Sequence, residues 1–123
     1  MTIIEVITDI DELKPNGYSQ AFKVQWLSEL DGKVKGEIID THEDGEDVSF
    51  SGYNDETPTE TELLIPHPYD DVYTYWLEAK IDYANGEYAK YNNSMAMFNT
   101  AYSAFERYYN REHMPNGKSF KFF

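Results

Sequence analysis

Three histidines, His42, His67 and His113, are the side chains of this 123-residue chain best suited to move a proton near neutral pH. They lie far apart, and none has a His or Cys partner at metal-ligand spacing. The chain has no cysteine, so disulfides and thiolate sites are excluded. Each histidine borders a turn or a helix end, and the simplest reading makes all three surface or capping residues. A Ser-His-Asp set is a spatial arrangement, but no serine here sits in a nucleophile elbow. The stretch HEDGED, from His42 to Asp47, suggests a calcium loop. It lacks the D-x-[DN]-x-[DN]-G opening and the closing acid of an EF-hand, which leaves a solvated acidic loop. The glycines are scattered, with neither dinucleotide-binding nor P-loop spacing. No catalytic, cofactor-binding or metal-binding residue is assigned. The expectation is a protein that makes contacts, not an enzyme.

Charge points the same way. The formal net charge is −13, and it is unevenly spread. Residues 1–66 hold sixteen acids against four lysines, whereas residues 67–123 hold seven acids against six Lys and Arg. Between Asp40 and Glu62 there are nine acids and no base. Such a surface repels a phosphate backbone, which is bound by Lys and Arg displacing counterions. Direct sequence-specific nucleic-acid binding is therefore not expected. The apolar fraction of 41% suits one folded domain, and no apolar run is long enough to span a membrane. The opening MTIIEVITDIDELK carries four acids and no basic n-region, so no secretory signal is expected.

The elements that would carry these residues read as mainly helical. Thr2-x-x-Glu5 has the form of a capping box, and Ile3, Val6, Ile7, Ile10 and Leu13 follow at helical spacing. Pro15-Asn16-Gly17 ends that segment. Ser19 is the expected N-cap of a second helix, with Phe22, Trp26, Leu27, Leu30, Val34 and Ile38 on its apolar face. A bend is expected at Gly32 or Gly36. Later, Asn85-Gly86 breaks a helical pattern. The prediction is a small bundle of about four helices near 3–14, 19–41, 69–84 and 87–112. A β-hairpin or long acidic loop is inserted at about 43–67, with any strands within 47–66, and 113–123 forms an extended tail. Trp26, Leu27, Leu30, Trp76, Phe98 and Phe105 are the expected buried set.

Nine of the eleven tyrosines fall between Tyr69 and Tyr109. The last helix carries Tyr88, Tyr91, Met95, Phe98, Tyr102, Phe105 and Tyr109 at alternating gaps of three and four, a heptad seam. One helical core cannot use so many tyrosines, and the residue is enriched at interfaces. Tyr73, Tyr88, Tyr91, Tyr102 and Tyr109 are candidate interface residues. The tail adds Lys118, Phe120, Lys121, Phe122 and Phe123, three aromatics and two bases fit to fold back or to dock on a neighbour.

With these residues placed, the chain resembles the small head–tail connector (adaptor or head-completion) proteins of tailed phages and prophages. The likeness rests on Tyr69, Tyr73, Trp76, Leu77, Ala79 and Ile81, then Asn85 and Glu87, then Tyr91-Asn92-Asn93, Phe98 and Tyr102. The stretch ELKPNGYSQAFKVQWLSELDGKVKGEIIDTH is similar to the opening helices of such proteins. The resemblance implies a four-helix domain with an insertion, self-association into a ring under the portal, and contact with portal and tail-completion proteins. It implies synthesis in the bacterial cytoplasm and residence in the virion. Glu43, Asp44, Glu46 and Asp47 would then line the DNA channel or face outward. The alternative is an acidic DNA mimic that inhibits a nucleic-acid-binding protein. Independently of either, truncating Trp76, Phe98 or Phe105 to Ala is expected to cost about 3–5 kcal/mol in urea unfolding.

Overall fold

Thr2 and Glu5 form the capping box their spacing predicts. The Glu5 amide donates to Thr2 Oγ1 at 3.3 Å, and the Thr2 amide donates to Glu5 Oε1 at 2.9 Å. In the computed structural model, which describes residues 1–114, helix α1 runs Ile3–Leu13 from this cap. Its other open amides, those of Ile3 and Ile4, donate to the carbonyls of Thr61 and Thr59 at 3.1 and 2.9 Å. The donors that a helix start leaves unpaired are thus satisfied, partly by a segment distant in sequence.

Helix α2 runs Gln20–Glu37, with Ser19 Oγ accepting from the Phe22 amide at 3.3 Å. It passes uninterrupted through Gly32 and Gly36. Two short 3-10 turns follow, Ile39–Thr41 and Gly45–Asp47. Helix α3 runs Asp71–Ala84 and helix α4 runs Tyr88–Glu112. The turn between them rests on Gly86 at φ +74°, a left-handed conformation that a glycine adopts without strain. The Gly86 amide donates to the Tyr83 carbonyl at 3.0 Å and the Glu87 amide to the Asp82 carbonyl at 2.9 Å. That pair of bonds is a Schellman motif, and it folds α4 back along α3.

The core draws on all four helices: Ile3, Val6, Ile7 and Ile10 from α1, Val24, Leu27, Leu30 and Val34 from α2, Val72, Leu77 and Ile81 from α3, and Phe98 and Phe105 from α4. Helix α4 spans about 37 Å and α3 about 21 Å, so the far half of α4 needs other partners. Tyr69 stacks on Tyr108 with centroids 4.7 Å apart, and His42 meets the Tyr109 ring edge-on at 4.7 Å. The heptad seam is accordingly graded. Tyr88 is exposed, Tyr91, Met95 and Tyr102 are half-buried, and Phe98, Phe105 and Tyr109 are buried.

The insertion between α2 and α3 contains no strand among the described residues; an isolated antiparallel bridge joins Thr2 and Glu62. The expected β-hairpin is therefore replaced by an irregular segment, and the reason lies in its amides. Leu63 donates to the Met1 carbonyl, Leu64 to Asp31 Oδ2 and Ile65 to the Tyr73 hydroxyl. These three donors go to Met1, before α1, and to side chains of α2 and α3, so none of them serves a hairpin within the segment. Two apolar assignments also change. Trp26 is only half-buried and Phe22 is 53% exposed, because the two rings stack on each other at the domain edge with centroids 6.0 Å apart. Lys118, Phe120, Lys121, Phe122 and Phe123 of the expected tail lie outside the described residues.

Gly36 and Gly45 give opposite expectations for the same substitution. A Cβ at Gly36, inside α2, meets open space, so Gly36→Ala should raise the free energy of urea unfolding by about 0.5–1 kcal/mol. A Cβ at Gly45 would lie 2.5 Å from the Ile39 carbonyl oxygen and 3.0 Å from Asp40 Cα. Gly45→Ala should lower the same quantity by about 1–3 kcal/mol.

Candidate functional site

The acidic segment is anchored through one buried carboxylate. Asp31 is fully buried on the core face of α2, beside Leu27, Leu30 and Val34. Its Oδ1 accepts from the Tyr73 hydroxyl at 2.6 Å; its Oδ2 accepts from the Tyr53 hydroxyl at 2.5 Å and the Leu64 amide at 3.1 Å. Burial pushes the Asp31 carboxyl above the usual carboxylate range, and the three donors pull it back only in part. The Tyr73 and Tyr53 hydroxyls are pushed well above the ordinary phenol value, by burial first and then by the Asp31 charge. Tyr73 is therefore not an interface tyrosine. It is a buried tie between α3, α2 and the segment.

At its other end the segment is held to α4. His42 is buried, its Nδ1 2.7 Å from the Ile38 carbonyl and its Nε2 2.9 Å from the Asn110 side-chain amide. His113 Nδ1 lies 2.5 Å from Asp44 Oδ2, and its ring stacks on Tyr109 with centroids 3.8 Å apart. The Glu43 amide donates to the Met114 carbonyl at 2.9 Å. Burial, then the charges of Asp44 and Asp40, push the Tyr109 hydroxyl up. This overturns one expectation and narrows another. Tyr109 is packed rather than presented, and His42 is a capping residue, as one of its two readings had it, but a buried one. Of the three histidines, His67 alone has a largely exposed side chain, at 85%.

The four acids singled out for a channel divide in the same way. Glu43, Glu46 and Asp47 are exposed, while Asp44 is half-buried against His113. Asp40 pairs with Lys35. The exposed remainder forms an acidic surface with no lysine or arginine between Asp40 and Glu62.

The aromatic surface lies at the α3–α4 hairpin. Tyr83 and Tyr88 are 59% and 60% exposed, and Tyr83 meets both Tyr88 and Tyr91 edge-on, with centroids 5.6 and 5.3 Å apart. Tyr83 and Tyr91 border a groove of about 430 Å³ that Lys33, Trp76, Ala79, Lys80 and Met95 also line. Lys80 sits 4.8 Å over the Trp76 ring and pairs with Glu29 at 3.0 Å. On the other flank of the α3–α4 seam, a groove of about 350 Å³ runs past Tyr69, Tyr75, Met97 and Ala101. Tyr102 is half-buried, its hydroxyl donating to Glu37 at 3.1 Å.

Tyr83, Lys33 and Lys80 were not singled out by the sequence, and neither was Asp31. Asp31 had a legible signal. It falls four residues after Leu27 and three before Val34, a charge on the apolar face of its own helix. Among the described residues, no group of three His, Cys, Asp or Glu is placed to hold a metal ion. No described helix is long and apolar enough to cross a membrane. No protein-family model, curated protein or solved structure matches this chain.

Asp31→Ala should cost about 3–5 kcal/mol, because the buried Tyr73 hydroxyl, the part-buried Tyr53 hydroxyl and an amide lose their acceptor. The pH dependence has a definite sign. Since the folded pKa lies above the ordinary 3.8, the stability contributed by Asp31 is full below that value. It is lost as pH rises through the raised folded value. Urea unfolding of wild type and Asp31→Asn across the acid range should show the difference between them shrinking with pH. A difference that grows with pH would exclude the raised value.

Proposed function

We propose that this chain is a structural assembly protein of the head–tail connector type, docking under a portal and extending its DNA channel as a ring of copies. The observation that carries the reading is the α3–α4 hairpin, which presents exposed tyrosines and an apolar groove on each flank of one seam. Two distinct contact faces on one protomer are what head-to-tail ring packing uses. Tyrosine gives such faces a large contact area together with a hydroxyl that tolerates water. The resemblance in the stretches from Tyr69 to Tyr102 supplies the type of assembly, and the faces supply a means of making it.

In this reading Glu43, Glu46 and Asp47 face the channel and repel DNA. Screening confines that effect to about 8–10 Å at physiological salt, so it requires a narrow lumen. The DNA-mimic alternative gains nothing from the geometry, since Asp40 and Asp44 are engaged with Lys35 and His113 inside the protomer.

Tyr83→Ser with Tyr88→Ser is expected to change stability by less than about 0.5 kcal/mol. The same pair should reduce retention on the cognate portal oligomer in a pull-down at low and moderate salt. No retention of the wild type under either condition would sink the proposal. Glu43→Lys, Glu46→Lys and Asp47→Lys together should create DNA binding that weakens with added salt, and should slow ejection from reconstituted particles. Normal assembly with unchanged ejection would remove these acids from the channel.

A further inference from the structure

Asparagine followed by glycine is the pair most open to loss of the side-chain amide, because glycine has no side chain to hinder attack by its own nitrogen. The chain holds three such pairs, Asn16-Gly17, Asn85-Gly86 and Asn116-Gly117. The first two lie among the described residues, and the fold treats them oppositely. Asn85 is the C-cap of α3, at φ −80° and ψ −6°. The nitrogen that would attack it, that of Gly86, donates to the Tyr83 carbonyl at 3.0 Å within the Schellman turn. The Asn85 carboxamide is also held, its Oδ1 accepting from the Tyr18 hydroxyl at 2.6 Å. Reaction there has to break the turn that joins α3 to α4.

Asn16 lies in the short link between α1 and α2. Gly17 is exposed, and its amide donates to no acceptor among the described residues. A Cβ built on Gly17 meets nothing within 4 Å, so the peptide is open to water and base. Asn16 Oδ1 accepts from the Tyr18 amide at 3.1 Å. That bond closes an Asx turn, which folds the carboxamide back over the following peptide nitrogen. Asn16 Nδ2 donates to the Lys14 carbonyl at 2.9 Å and to Asp11 Oδ1 at 3.2 Å.

We propose that Asn16-Gly17 is a site of spontaneous deamidation, with water as the co-reactant, and that the turn at Asn85-Gly86 protects the second pair. The Gly17 nitrogen gives its proton to hydroxide and bonds to Asn16 Cγ. Negative charge collects on Oδ1, where the Tyr18 amide already donates. The Cγ–Nδ2 bond then breaks, Nδ2 takes a proton from water and leaves as ammonia, and a cyclic succinimide remains. Water adds to one of its two carbonyls. Breaking the newly made C–N bond gives aspartate, and breaking the former peptide bond gives isoaspartate, whose backbone is longer by one methylene. Either product adds a negative charge and removes the Nδ2 donor. In the aspartate form a carboxylate stands against Asp11, which also holds the buried Lys23 of α2 at 2.6 Å. The tie between α1 and α2 is thereby loosened, whatever the chain assembles with.

The test incubates the full-length protein in warm, mildly alkaline buffer and follows each peptide by mass mapping and an isoaspartate assay. The peptide containing Asn16 should convert about tenfold or more faster than the one containing Asn85. In concentrated urea, where neither turn persists, the two rates should come together. Gly17→Ala, for which there is room, should slow conversion at Asn16 in the folded protein. Asn16→Asp, which copies one product, should lower the urea midpoint of unfolding. Conversion at Asn85 as fast as at Asn16 in the folded protein overturns the proposal. So does a ratio that urea leaves unchanged, because the fold then has no part in it. An Asn16→Asp midpoint equal to that of wild type overturns the loosening of the α1–α2 tie.

Discussion

A carboxylate buried in the middle of α2 sets where the rest of the chain can lie. Hydrophobic burial is not directional, and Leu63 and Ile65 are the buried apolar residues of the long irregular segment between the 3-10 turns and α3. Apolar contact alone would leave that segment free to slide. Asp31 prevents it, because an ionised or partly ionised group out of water needs its donors in particular places. Tyr53 and Leu64 come from the segment and Tyr73 from α3, and Tyr73 in turn accepts from the Ile65 amide. The register of the segment follows. Once Leu63 to Ile65 are placed, Thr59 and Thr61 come to lie where the first amides of α1 need acceptors.

The same device recurs at smaller scale. Lys23 of α2, buried, reaches Asp11 of α1. Asp82 of α3, buried, is met by Lys14 after α1 at 2.5 Å and by Ser94 of α4 at 3.0 Å. Each buried charge thus ties different elements together, where loss of one partner costs far more than loss of a surface pair. The pairing also shapes the surface. Of the four lysines before residue 67, Lys14, Lys23 and Lys35 are each engaged with an acid of the same chain. Most of the positive charge of this half is spent internally, and the acid excess is what faces outward.

The helices were legible because their signals are local. The capping box at Thr2, the N-cap at Ser19 and the break at Asn85-Gly86 each act within a few residues, and the helix limits follow them closely. What failed was long-range. Val48 and Phe50 alternate as a strand would, but a strand needs a partner, and nothing local shows that the amides of residues 63–65 go to Met1, Asp31 and Tyr73. Trp26 and Phe22 sit at apolar spacing on α2, but its N-terminal turns bury Lys23 and Val24 more deeply than either. Lys23 and Asp31 fall on the buried face and blur the pattern that spacing relies on. The burial of His42 and of Tyr109 was hidden for a related reason. Each looks polar-tipped and peripheral alone, and becomes buried only because the turn after α2 folds against the far half of α4.

The tyrosine surplus that first suggests an interface separates into two populations. In one, the hydroxyl is a tie between elements: Tyr53 and Tyr73 to Asp31, Tyr18 to Asn85 at 2.6 Å, and Tyr102 to Glu37. These side chains serve the fold, and their number weakens any argument from composition alone. In the other, the Tyr83 ring contacts those of Tyr88 and Tyr91 around the α3–α4 turn, and Tyr83 and Tyr88 stand more than half exposed. No buried charge draws on their hydroxyls, and the Schellman turn beneath them is satisfied by its own backbone. The fold has no evident use for them there. In the proposed function, this aromatic cluster at the α3–α4 turn, beside a groove of about 430 Å³, is the contact surface. The case for an interface therefore narrows from nine tyrosines to the three at that turn.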